Sequence, residues 1–136
     1  MSNEVYTIKD RKIVLPTWLD TIIFDDLSAS YCRQKKDMVV LEWNRDDVKK
    51  YLGTYFPRSY AEAFCIFGDF FSKEKNVYEN CQELSIFDFG CGTGGEIIGF
   101  IMAVKKQLPN IKKISIKALD GNSYALRCLE CIRNRS

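Results

Sequence analysis

Apolar positions recur along this chain at two different periods, and the change of period divides it. In YLGTYFPRSYAEAFCIFGDFFSK, Tyr60, Phe64, Phe67 and Phe71 follow one another at spacings of 4, 3 and 4. That spacing places them on one face of a helix, and Pro57 suits the helix's first turn. Further upstream, Pro16-Thr17 predicts a helix start with Thr17 as N-cap. Trp18, Ile22 and Ile23 would point inward from this helix, which is expected to end near Ser30. Asn44 is placed to cap NRDDVKKYL, with acids in the first turn. Between them, Gln34 to Asp37 reads as a charged connector, and Met38 to Trp43 suits either a strand or a buried helical turn. Asn3 to Leu15 reads as one or two short extended segments. Fourteen of the 18 aromatic residues precede residue 80, so this half is expected to pack a core of its own.

After residue 80 the pattern changes. Ser85 to Phe89 is a short run of β-branched and aromatic residues, read as a buried strand. Glu96 opens a helix whose stripe is Ile97, Ile101, Val104 and Leu108, and Leu108-Pro109-Asn110 stops it. Lys113 to Leu119 is a second strand, followed by Asp120-Gly121-Asn122. The expected fold class is therefore α/β. A mainly helical subdomain over 1–80 precedes a truncated, Rossmann-like βαβα region over 81–136, and the sheet is incomplete.

Composition adds limits. A chain of 136 residues, 46% hydrophobic and 28% charged, suits one soluble domain. No apolar run approaches the length of a membrane span, and MSNEVYTIKD lacks the apolar core of a signal peptide. The expected location is cytoplasmic, and the six cysteines are expected to be reduced. Cys128 and Cys131 form a CxxC inside a predicted helix. With no second CxxC and no histidine anywhere, a helix face is a better reading than a zinc site. The lack of histidine also removes the usual general base. Lys105, Lys106, Lys112 and Lys113 cluster around one loop, either meeting RNA phosphates or forming a solvated helix end.

The candidate chemistry lies between the two strands. Asp88-Phe89-Gly90-Cys91-Gly92-Thr93-Gly94-Gly95 sets four glycines within six positions, Gly90 to Gly95. Glycine permits a sharp turn and a close ligand approach. The helix N-terminus behind it offers N–H groups, and the acid at the end of the second strand can accept from ribose hydroxyls. Spacing alone fits both GxGxxG and GxGxG. Asp88 discriminates, because a carboxylate there repels a dinucleotide pyrophosphate and suits a cationic sulfonium ligand with an α-amino group.

FDFGCGTGG resembles motif I of the class I S-adenosylmethionine-dependent methyltransferases, and KALDGNSYAL resembles the acidic motif that follows it. The resemblance spans Leu84 to Ile132. It implies that Asp88, Gly90, Cys91, Gly92 and Gly94 surround the methionine part of S-adenosylmethionine, and that Asp120, with Gly121, holds the ribose. The 32-residue offset from Asp88 to Asp120 is longer than the compact spacing of about 20. Pro57, Tyr60 and Ala61 ahead of that motif are similar to a helix in ribosomal small-subunit methyltransferase-like proteins. Arg58 and Tyr60 would then face cofactor or substrate, against the simpler reading of Tyr60 as core and Arg58 as surface.

The resemblance implies methyl transfer to an acceptor that is RNA, protein or a small molecule, with no catalytic residue assignable and no metal. A non-catalytic assembly module and a fragment of an NAD-dependent oxidoreductase are the alternatives. Only two strands of a larger sheet are placed, so the sequence suggests an N-terminal portion of a longer enzyme, or else a short protein that pairs with a second copy. In both cases self-association through an exposed sheet edge is expected, with no membrane partner.

Overall fold

In the computed structural model the chain is described over residues 7–9, 12–31 and 44–135, with backbone alone for 7–9 and 12–14. The readings for Gln34 to Asp37 and Met38 to Trp43 lie outside the described residues. The order of elements is β1 (Thr7–Lys9), β2 (Lys12–Val14), α1 (Thr17–Asp20, continuing as a π-helical turn over Thr21–Asp26), α2 (Arg45–Lys73), α3 (Lys75–Tyr78), β3 (Glu83–Phe89), α4 (Gly95–Gln107), β4 (Lys113–Leu119) and α5 (Ser123–Arg135). Strands β1 and β2 form a small antiparallel hairpin. Strands β3 and β4 pair in parallel, with Glu83 opposite Lys113 and Phe89 opposite Leu119. The fold is thus mixed helix and strand, as the α/β reading expects.

The helical half departs from expectation chiefly in where its helices begin and end. Pro57 does not begin a helix; it sits within the 29-residue α2. The helix starts upstream because Asn44 and Asp47 form a capping box, each side chain accepting from the other's backbone N–H. Pro57 has no N–H to return to the Gly53 carbonyl, a loss of about 3 kcal/mol in a helix interior. Tertiary packing offsets it. The chain leaving α1 crosses α2 at Gly53, where an added Cβ would strike the Ser30 carbonyl, and the Ser30 N–H donates to the Lys49 carbonyl at 3.2 Å. At α1 the N-cap is Pro16 and Thr17 is the first helical residue. Ile22 and Ile23 are buried as expected, Trp18 only partly, and the helical turns end at Asp26.

The main core joins both halves of the chain. Leu19, Ile23, Leu52, Phe56 and Tyr60 pack with Ile98, Met102, Ala103 and Ile132. The tightest seam runs between α2 and α4. Gly95, Gly99 and Ala103 recur every four residues on α4, and a Cβ at Gly99 would lie 2.6 Å from the Tyr60 carbonyl. Small residues at that spacing let two helix backbones approach closely. A second cluster, Phe71, Phe100, Val104 and Leu108, packs onto Leu84, Ile86 and Ile114 and so covers one face of the sheet.

The other sheet face corrects the buried-strand reading. Residues alternate half-buried and exposed along both strands. Phe87, Phe89 and Leu119 turn outward, with 61%, 82% and 50% of their surface exposed. The sequence ELSIFDF is an alternating strand with one covered face, and no element among the described residues covers the second.

Candidate functional site

The glycine turn joins β3 to α4, and its form follows from its hydrogen bonds. Gly90, Gly92 and Gly94 all have positive φ (75°, 55° and 88°), a region that side chains other than glycine enter at a cost. The Gly90 and Cys91 N–H groups both donate to the Leu119 carbonyl, at 2.7 and 3.0 Å. The Gly92 N–H donates to Asp120 Oδ2 at 2.8 Å, and the Gly94 N–H to the Cys91 carbonyl at 3.0 Å. The Gly90, Cys91 and Gly92 amides thus fasten the turn to the end of β4, and the Gly94 amide closes the turn on itself. The donors that helix geometry leaves without a partner inside the helix are those of the first turn of α4, at Gly95, Glu96 and Ile97.

Asp120 is the brace of this arrangement. Its second oxygen accepts from the Asn122 N–H at 2.8 Å. Asn122 is itself buried and caps α5, its side-chain oxygen accepting from Tyr124 and Ala125. Each Asp120 oxygen thus holds one backbone donor and retains a further lone pair for a ligand. Gly121 lies exposed between β4 and α5.

Charge concentrates here. Asp88 stands at the end of β3 on the covered face, opposite Ala118. Partial burial, and then the nearby Asp120, push its carboxyl above the ordinary range. The Cys91 thiol is pushed up to about 11, by burial first and then by Asp120 and Asp88. A thiol held that high is a poor nucleophile. The ion pairs seen among the described residues, Arg58–Glu62, Lys73–Asp69 and Arg135–Asp26, all lie elsewhere.

Helix α2 supplies a wall that the sequence reading missed. Tyr51, Phe56 and Ser59 line a small polar pocket together with Gly90, Cys91, Thr93, Gly94, Gly95 and Glu96. At about 60 Å³ it admits a few water-sized groups and no nucleoside. Tyr51 stacks on Tyr55 at 5.2 Å, and a Cβ on Gly92 would lie 2.8 Å from its hydroxyl. Burial, followed by Asp120 and Glu96, raises the Tyr51 phenol further above its usual range. Tyr51, Tyr55 and Ser59 stand at i, i+4 and i+8, a signal that appears only when the helix is read straight through Pro57.

The residues proposed from the upstream motif do not join the site. Tyr60 is fully buried in the core, and Arg58 is exposed beside Glu62 at 2.9 Å. Gly95, third glycine of the GxGxxG reading, packs against Phe56 and Ser59 of α2. Cys128 and Cys131 are half-buried and free on α5. No cluster of metal-ligating side chains occurs among the described residues. The Lys105, Lys106, Lys112 and Lys113 group is solvent-exposed, with Lys106 over the Phe64 ring at 5.6 Å. No helix among the described residues is long and apolar enough to cross a membrane.

Neither protein-family models nor curated proteins give a match to the sequence, and no solved structure matches the fold.

Proposed function

We propose that this chain binds S-adenosylmethionine at the turn between β3 and α4, as the cofactor-holding part of a methyltransferase. The observation that carries the reading is electrostatic. Partial burial, and after it the nearby Asp120, raise the Asp88 carboxyl, and Glu96 adds a third acid at the same turn. A ligand that brings positive charge relieves this repulsion, whereas a pyrophosphate adds to it. A sulfonium with an α-amino group is such a ligand.

The chain's own residues would divide the work as follows. The first-turn amides of α4 meet the ligand carboxylate. Asp88 faces the cationic end. The free lone pairs of Asp120 accept from the ribose hydroxyls. The bound sulfonium makes its methyl electrophilic, so holding the acceptor in line is the main catalytic requirement. The acceptor is RNA, protein or a small molecule.

Calorimetric titration with S-adenosylhomocysteine, using NAD as a control, tests the reading. Saturable binding of the homocysteine compound alone is expected. Binding of NAD alone would assign a dinucleotide site, and binding of neither would leave this chain as an assembly module.

A further inference from the structure

We infer that the outer edge of β4 is a docking site for an extended polypeptide strand that carries acidic and apolar residues in alternation. The inference does not depend on the cofactor reading. It starts from backbone directions. The Lys113 N–H donates to the Gln82 carbonyl at 3.1 Å, and the Leu119 carbonyl accepts from Gly90. Odd-numbered residues of β4 therefore turn their backbone groups toward β3. Ile114, Ile116 and Ala118 turn theirs away, and no other strand pairs with them among the described residues.

That edge is not a bare rim. Helix α5 flanks it and leaves an apolar cavity of about 240 Å³ between itself, α4 and β4. Its walls include Ile97, Ile101, Ile116, Ala118, Leu126 and Leu129. A strand hydrogen-bonded to Ile114, Ile116 and Ala118 would place alternate side chains beneath α5, toward this cavity. Main-chain bonds supply affinity in such strand addition, and pockets for alternate side chains supply specificity.

The opposite face fixes the charge of the visitor. KISIKAL presents Lys113 and Lys117 on the solvent side, flanking Ser115. The side chains of an added strand that point the same way stand beside these lysines, and opposite charges across a sheet are stabilising. Acid therefore alternates with apolar residue in the strand that fits. A second copy of this chain offers no acid to these lysines. Antiparallel pairing of β4 with itself about Ser115 sets Lys113 opposite Lys117, a repulsive pair, and pairing about Ile116 sets them opposite Leu119 and Ser115. Either pairing also brings two α5 helices into the layer that one already occupies.

The test uses the whole chain and an end-blocked heptapeptide alternating glutamate with valine, followed by amide exchange. Saturable binding should slow exchange at Ile116 and Ala118 by about tenfold or more. The same peptide N-methylated on alternate amides should not bind, and a lysine–valine peptide should bind at least about tenfold more weakly. Lys117→Glu leaves one lysine and one glutamate on that face and should abolish the charge preference, and Lys113→Glu together with Lys117→Glu should invert it; both positions are exposed. No protection at millimolar peptide, or equal affinity for both peptides, would overturn the proposal. So would protection that grows with protein concentration alone alongside a dimer in sedimentation, since the occupant would then be a second copy.

Discussion

The α2–α4 seam and the β3–β4 sheet are built to opposite tolerances. In the seam, Gly95, Gly99 and Ala103 bring two backbones together, with no space for a Cβ at either glycine. In the sheet, Phe87 and Phe89 stand in solvent on a face that nothing among the described residues covers. The glycine turn links the two, with its pocket walled by α2 on one side and its amides tied to β4 on the other. The difference teaches where this fold keeps its stability. A helical core holds the molecule, and the sheet is a lightly covered platform that presents the strand ends.

Substitutions should rank accordingly. Gly99→Leu is expected to be the most damaging, since its side chain meets the Tyr60 carbonyl and Ala63. A loss of about 3 kcal/mol or more, read as a lower urea midpoint, follows from overpacking against backbone. An unchanged midpoint would show that the helices can separate. Asp120→Ala removes the acceptor of the Gly92 and Asn122 amides. It should cost about 1–3 kcal/mol and weaken S-adenosylhomocysteine binding at least about tenfold. Full stability with lost binding would confine Asp120 to the ligand.

Asp88→Asn separates stability from function. The Asp88 carboxyl is raised in the folded protein, so ionising it opposes folding. Stability is therefore lost as pH rises from the ordinary aspartate range through the raised one. The substituted amide cannot ionise, so the variant should melt higher than the parent at neutral pH and alike at pH 3, while binding the sulfonium ligand less well. Equal melting at both pH values would place Asp88 in free solvent. The smallest effect belongs to Phe89→Ser on the bare face. Its stability should change by less than about 0.5 kcal/mol, and its solubility should rise. A large loss in chemical denaturation would mean that something covers this face.

Much of the second half was legible because local rules meet no opposition there. The run KISIKAL gave β4 its bounds, and the glycine run marked the turn that Asp120 fastens. The helical half was harder to read. Pro57 is locally a helix-start signal, overridden by the capping box at Asn44 and by the chain passing Gly53 at Ser30. That override hid Tyr51 and Ser59 from the sequence reading. Gly95 was ambiguous for another reason. A glycine needed for a turn and one needed for helix contact look alike until the facing helix is known. The role of Asp120 as a brace depends on a bond across 28 residues, which no local pattern encodes.

That long bond has a consequence for order of assembly. Three of the turn's amides find their acceptors only in Leu119 and Asp120. On a growing chain, α2 and α4 can meet as soon as both have left the ribosome, while the turn between β3 and α4 stays open until β4 has followed. The turn then closes after α2 and α4 have met, and before Ile132 of α5 completes the core.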